Sequence, residues 1–405
     1  MRLQMRNMPA NSSRHFLSFL PASSAALASC LRVVSLVLAV SGVISATTYY
    51  VDPSGSDWNS GSSSSAFRTV GKGVSVAGPG DTVILNNGTY GNEGHISDGS
   101  GCKYGCSPAV SISSSGAPGA YITLKAANSG QAILDCGTTT SSLGCDQYIY
   151  LNAGAGYWTF EGLVFTRGAF AGLSTNDGAS FINVVHCEFS HIGNWVDTTT
   201  IGETGLGFNQ PATNWYIDGN VFHDIGRIGG QSYMDFDHGI YAAGSNATII
   251  NNIFYNINKG WSIQVANGAT NWLIANNTFA FSSAGNGQIM LWNTINGISI
   301  INNIFYNPSG YAIERYQASL NGCLIDTNLV SGSSSMMPDT TGCSVLHTSF
   351  GNPNFINPGA GDFQTQAGGA GINNGMMLGA VTSDIRGVSR PQGSWIDIGA
   401  YEFVP

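Results

Sequence analysis

Asn251-Asn252-Ile253-Phe254, Asn276-Asn277-Thr278-Phe279 and Asn302-Asn303-Ile304-Phe305 are one phrase written three times. Asn220-Val221-Phe222 and Asn328-Leu329-Val330 extend it in both directions. The asparagines at 220, 252, 277, 303 and 328 are spaced by 32, 25, 26 and 25 residues. Phe165, Phe189, Phe222, Phe254, Phe279 and Phe305 keep the same rhythm. The period is too short for a propeller blade and carries no Leu-rich consensus. It fits a solenoid coil of three short strands and three turns. Stacked coils lie about 4.8 Å apart. Asparagine at one turn then forms an amide ladder along the axis, and phenylalanine stacks inside it. The expected fold is all-β, a right-handed parallel β-helix with coils of about 25 residues.

Composition agrees. Only 9% of the 405 residues are charged, 43% are hydrophobic, and 54 are glycine. Gly, Asn, Ser and Thr are poor helix formers and good turn formers. The N-terminus is different. Arg2, Arg6 and Arg14 precede an apolar run densest at Val33–Val40, and Ile44-Ser45-Ala46 resembles a cleavage site. Residues 1–46 are read as an export signal, with 47–405 as a single domain. A lipoprotein box at Leu27-Ala28-Ser29-Cys30 and an uncleaved anchor are the alternatives. The expected location is extracellular, with cell surface or periplasm as variants. No membrane contact is expected once the signal is removed. Cleavage removes four of 14 basic residues and none of the 23 acids, leaving a net charge of −13. That excludes a nucleic-acid partner, which needs a basic patch. Cys102/Cys106, Cys136/Cys145 and Cys323/Cys343 are candidate disulfides, leaving Cys187 as a buried thiol.

A second ladder follows later in each coil. Its central residues are Leu173, Leu206, Ile240, Ile263, Ile289 and Ile313. With these pointing inward, strand alternation sends Tyr241, Ser262, Gln264, Gln288, Met290, Trp292, Glu314 and Tyr316 outward. Aromatic and amide groups on a flat sheet suit sugar rings and hydroxyls. The same parity puts His238 and Arg315 inward. Two longer coils, through Asp197–Glu203 and Arg227–Asp237, would wall this stripe into a cleft. Residues 330–405 lose the rhythm and are read as irregular closing coils, with Asp397–Glu402 as a final strand capping the core.

Tyr49-Tyr50-Val51-Asp52-Pro53, Ala77-Gly78-Pro79-Gly80-Asp81, Gly88-Thr89-Tyr90, Asp237-His238-Gly239-Ile240-Tyr241, the Asn-Asn-x-Phe coils and Asp397-Ile398-Gly399-Ala400-Tyr401-Glu402 together resemble bacterial, secreted β-helix proteins of the pectate-lyase superfamily. That superfamily holds lyases, hydrolases, epimerases and non-catalytic members. The resemblance implies an acidic polysaccharide as partner and β-elimination as the reaction. It implies Ca²⁺ on acidic side chains and a Lys or Arg base. Lys259 alone among the lysines lies in the repeat body, and register puts it one coil above Phe236. Asp197, Glu203, Asp235 and Asp237 are the expected metal ligands. Lys259, Asp237 and His238 are the catalytic candidates. Arg227, Tyr241, Gln264, Trp292, Glu314 and Tyr316 are the substrate-binding candidates.

Rival readings use the same residues. A hydrolase would pair Glu203 with Asp237, or use Glu314. An epimerase would use Tyr233, Asp235 and His238. A non-catalytic glycan-binding protein would depend on Tyr241, Trp292 and Tyr316 alone. A monomer is expected in each case.

Overall fold

The computed structural model describes residues 45–91, 93, 108–140, 144–195, 202–228, 235–282 and 287–405. Asp197, Tyr233, Cys102 and Cys106 lie outside them. Three parallel ladders wind into the expected β-helix. The first runs through Thr48–Val51, Thr82–Leu85, Ile122–Ala126, Gly156–Glu161, Ser180–Val185, Trp215–Asp218, Thr248–Ile250 and Ala269–Ala275. The second runs through Leu163–Thr166, Glu188–Ser190, Val221–Ile225, Ile253–Ile257, Thr278–Ala280, Ile304–Tyr306 and Leu329–Ser331. The third runs through Gln147–Leu151, Ala171–Thr175, Thr204–Phe208, His238–Ala242 and Ile263–Val265. Ile289–Ile301 and Ile313–Asp326 are long strands that join the third ladder to the first. One short helix, Val70–Val76, packs on the opening strands.

The amide ladder follows from the repeat. Asn252 Oδ1 accepts from the backbone N–H and the Nδ2 of Asn220, at 2.8 and 2.9 Å. Asn277 receives Asn252 in the same way, Asn303 receives Asn277, and Asn328 receives Asn303. Every one of these side chains is fully buried. The phenylalanines stack beside them with ring centroids 4.7–5.2 Å apart. Cys187 takes the ladder position one coil before Asn220. Its N–H donates to Asn220 Oδ1, and its thiol lies 3.5 Å from the Phe160 and Val185 carbonyls. Burial pushes that thiol up to about 12, so it is inert.

The residue before each ladder position has a left-handed backbone: Gly162, His186, Gly219, Asn251, Asn276, Asn302 and Thr327. Glycine and asparagine tolerate that conformation. In three successive coils this position is Asn, because its side chain has a second task. Asn276 and Asn302 bind the backbone of Asp397, Gly399 and Met376, and Asn251 faces Arg390. The Asp397–Glu402 segment is therefore a strap on the flank of the stack, and not a strand capping its end. Its own core is the fully buried Arg390–Glu402 pair at 2.9 Å. The coil rhythm also runs further than the spacing suggested, through Cys343–Leu346 and Ser349–Phe350. Disulfides join Cys136 to Cys145 and Cys323 to Cys343.

Asn277→Ala removes an acceptor for two buried donors and leaves the Ile249 and Ala275 carbonyls short of a donor. The expected cost is about 2–4 kcal/mol. Exposed Ser319→Ala, on a strand with ordinary backbone angles, should stay within about 0.5 kcal/mol. Denaturant midpoints of the two variants check the contrast.

Candidate functional site

A cleft of 630 Å³ opens on the third ladder. Its direction is set by a column of small residues. A β-carbon on Gly172, Gly205 or Gly239 would lie 2.8, 3.0 or 2.9 Å from Phe189, Phe222 or Phe254. These glycines therefore face the core, as do the Leu or Ile residues that follow them. Two successive inward residues shift the alternation. The residue before the glycine and the residue after the Leu or Ile both face out. His238 thus lies on the cleft wall and not in the core, against the simple parity. Ser262 and Gln288 continue the glycine column and are fully buried, so they leave the expected outward stripe. Arg315 keeps its register opposite Leu291, and its guanidinium pairs with Asp339 at 2.5 Å.

Columns of residues from successive coils line the cleft. Thr204, His238 and Trp261 form one; Tyr241, Gln264, Met290 and Glu314 form the next; Trp292 and Tyr316 form a third. Trp261, Met290 and Trp292 pack together as an apolar base. Asp235 and Phe236 stand on the wall supplied by the second long coil. The structure therefore gathers Asp235, His238, Tyr241, Gln264, Trp292, Glu314 and Tyr316 at one site. Sequence reasoning missed Phe170, Asn209, Phe236 and Trp261. Trp261 was recoverable, because it holds the ladder position of His238 one coil on.

Other expected site residues fall elsewhere. Asp237 is fully buried and ion-paired with equally hidden Arg227, Nη2 to Oδ1 at 2.5 Å. Asp237 Oδ2 also accepts the Arg227 backbone N–H at 2.8 Å, and Oδ1 accepts the Glu203 N–H at 3.2 Å. This pair consumes the group expected to be catalyst and metal ligand, and the arginine expected to bind a substrate carboxylate. Glu203 is 2% exposed and packs under Gly193. The expected Ca²⁺ set of Asp197, Glu203, Asp235 and Asp237 is thus not assembled. Among the described residues no group of three His, Cys, Asp or Glu is placed to hold a metal. The Glu203–Asp237 hydrolase pair fails for the same reason. Lys259 has the expected register: its carbonyl accepts the Phe236 N–H at 2.8 Å. It is half-buried with a left-handed backbone, beside the wall and not on the cleft lining.

Asp235 and Glu314 are the charged groups among the described lining residues. Burial holds the Glu314 carboxyl above its ordinary range, and the Asp235 charge adds to this. A hydrogen bond from the Trp261 side chain opposes it. Burial keeps the Tyr241 phenol protonated. Burial and the Arg227 guanidinium push His238 down to about 3.

A family model described as a Pel9A-like right-handed β-helix region matches residues 49–227. Pectate lyase L of Dickeya dadantii (strain 3937) is 26% identical over 269 residues, 61% of this chain and 56% of that protein. Pectate lyase L of Dickeya chrysanthemi is 30% identical over 132 residues, 33% of this chain and 29% of that protein. The chain thus matches little more than half the length of these relatives, or less. The crystal structure of pectate lyase Pel9A superposes with a TM-score of 0.56 at 17% identity, covering 89% of this chain and 97% of that one. The likeness is one of fold. The family match ends before Asp235, so the carboxylates and most of the aromatic lining lie beyond it.

Asp237→Asn leaves Arg227 charged and buried, at an expected cost of about 3–5 kcal/mol. Asp235→Asn should cost little stability and lower Glu314 only part of the way, since burial, the larger cause, remains when the Asp235 charge is gone. Thermal denaturation of both variants and carboxyl NMR titration of the second test this.

Proposed function

We propose that this pectate-lyase-superfamily β-helix is an exported, monomeric polysaccharide lyase that cleaves a uronate-containing polymer by β-elimination in the cleft. The observation that carries the reading is the cleft itself. Six successive coils each contribute residues to one groove, where the rings of Tyr241, Trp261, Trp292 and Tyr316 stand beside Asn209, Gln264 and two carboxylates. Aromatic faces bind the apolar faces of sugars, and amides bind their hydroxyls. The similarity to two pectate lyases favours elimination over other chemistry on this fold. Two disulfides suit an oxidising, extracellular setting. No helix among the described residues is long and apolar enough to cross a membrane.

Elimination across a uronate needs a base for the C5 proton and relief of charge on the carboxylate. Lys259, beside the cleft wall, is the base of this reading. Asp235 and Glu314 are the lining carboxylates that would contribute to holding Ca²⁺, which takes more oxygens than these two supply. Hard carboxylate oxygens are the donors calcium takes, and the charge of one already raises the other. Bound there, the ion would neutralise the uronate. Tyr241 and Gln264 would position the sugar.

One observation favours a second reading, a glycoside hydrolase. Glu314 holds its proton more tightly beside Asp235, which is how an acid and base pair is divided. The two chemistries leave different products. Purified protein is incubated with polygalacturonate and with alginate, with Ca²⁺ or chelator, following ultraviolet absorbance of unsaturated uronate and release of reducing ends. We expect absorbance and reducing ends to rise together, to fall in chelator, and to drop at least about 10²-fold in Lys259→Ala. Reducing ends without absorbance would replace the lyase by the hydrolase. Binding without either product would make the protein a glycan-binding module.

A further inference from the structure

His238 is more constrained than an ordinary cleft histidine. Its ring lies between Tyr241 and Trp261, at centroid distances of 5.4 and 5.8 Å and interplanar angles of 26° and 18°. The Trp261 backbone N–H donates to Nδ1 at 3.4 Å. Nδ1 is therefore the acceptor, and the ring's proton sits on Nε2. The residue is 4% exposed yet lines the cleft. No hydrogen bond from the protein to Nε2 is present among the described residues. The backbone is held as firmly: the His238 N–H donates to the Glu203 carbonyl at 2.8 Å, and the Gly239 N–H to the Trp261 carbonyl at 3.2 Å.

The charged and titratable neighbours are Arg227 with its partner Asp237, Glu203 from the coil below, and Tyr241 on the same strand. The guanidinium and burial both oppose a second proton on the ring. A ring that stays neutral is a poor base here, since accepting a proton would charge a buried group beside Arg227. It is a good donor. Its N–H is too weak an acid to be lost, and its geometry is fixed before substrate arrives.

We propose that His238 Nε2–H donates a hydrogen bond to the carboxyl group of the bound uronate and stabilises the negative charge that grows there during elimination. This rests on the lyase reading above. In that step the base removes the C5 proton. The electron pair left on C5 is delocalised into the carboxyl group, then forms the C4–C5 double bond as the C4–O4 bond breaks. The departing O4 takes a proton from water. The Nε2 proton stays on nitrogen throughout. A preorganised donor aimed at developing charge commonly contributes about 10²–10³ in kcat.

The test uses the full protein with ¹⁵N-labelled histidine. With Lys259→Ala to prevent turnover, an oligogalacturonate and its carboxyl-reduced, neutral counterpart are titrated in turn. We expect His238 to show a protonated Nε2 and a bare Nδ1 across roughly pH 5–8, where a free histidine titrates. The oligogalacturonate should move the Nε2–H resonance downfield, and the neutral oligomer should not. In the active protein, His238→Ala should lower kcat about 10²-fold or more with KM changed only a few-fold. His238→Gln, which retains an N–H donor, should recover part of kcat. A ring that charges near neutral pH, a proton on Nδ1, or equal response to both oligomers would overturn the proposal. So would a His238→Ala variant with unchanged kcat. If the wild-type protein eliminates nothing, the lyase reading fails separately, and the paired titrations still decide whether His238 binds a carboxylate.

Discussion

The amide ladder is the constraint on which everything else depends. From Asn252 onward each asparagine oxygen in the row accepts two hydrogen bonds from the coil before it, and each amide nitrogen also satisfies backbone carbonyls nearby. A shift of one coil by a single residue would leave those buried groups unpaired, at a cost no other contact offsets. The ladder therefore sets register, and register places the phenylalanines over one another. It also lines up the outward columns of the third ladder. The cleft is a by-product of that alignment: Tyr241, Gln264, Met290 and Glu314 share a face because their coils cannot slip.

Two further devices turn an aligned sheet into a site. The glycine column under the phenylalanine stack lets two successive residues face inward, and this aims His238 and Trp261 at the groove. The buried Arg227–Asp237 pair then ties the second long coil to the start of the His238 strand. Such a pair adds little net stability, because desolvating two charges costs about as much as their attraction returns. Its effect is positional. It places Asp235 and Phe236 on the wall, and its arginine adds to the burial that lowers His238. Away from the third ladder, the C-terminal strap uses the first asparagine of each doubled pair as its anchor.

The site that results is largely aromatic and, among the described lining residues, short of positive charge. Asp235 and Glu314 both face the space a polyuronate would enter, and neutral donors such as His238 and Gln264 stand around them. Charge relief for an acidic substrate then has two sources in this reading, a cation on the carboxylates and fixed N–H groups on the wall. They differ in their response to chelator and to removal of the histidine, so their shares can be separated.

The coil repeat, the inward asparagine and phenylalanine rows, the buried Cys187 and the disulfides Cys136–Cys145 and Cys323–Cys343 were legible in the sequence. Each is a local property repeated at one period, and periodicity survives without coordinates. Tyr241, Gln264, Trp292, Glu314 and Tyr316 were legible too, because they follow from counting along the ladder. What the sequence could not separate were groups of identical chemistry. Asp235 and Asp237 differ by two positions, yet one lines the cleft and the other is sealed against Arg227. Ser262 and His238 were each assigned to the wrong side, because a close approach between Gly239 and Phe254 breaks the alternation locally. Those outcomes depend on packing between residues from different coils, and only the tertiary structure decides which side chain meets solvent and which meets a partner.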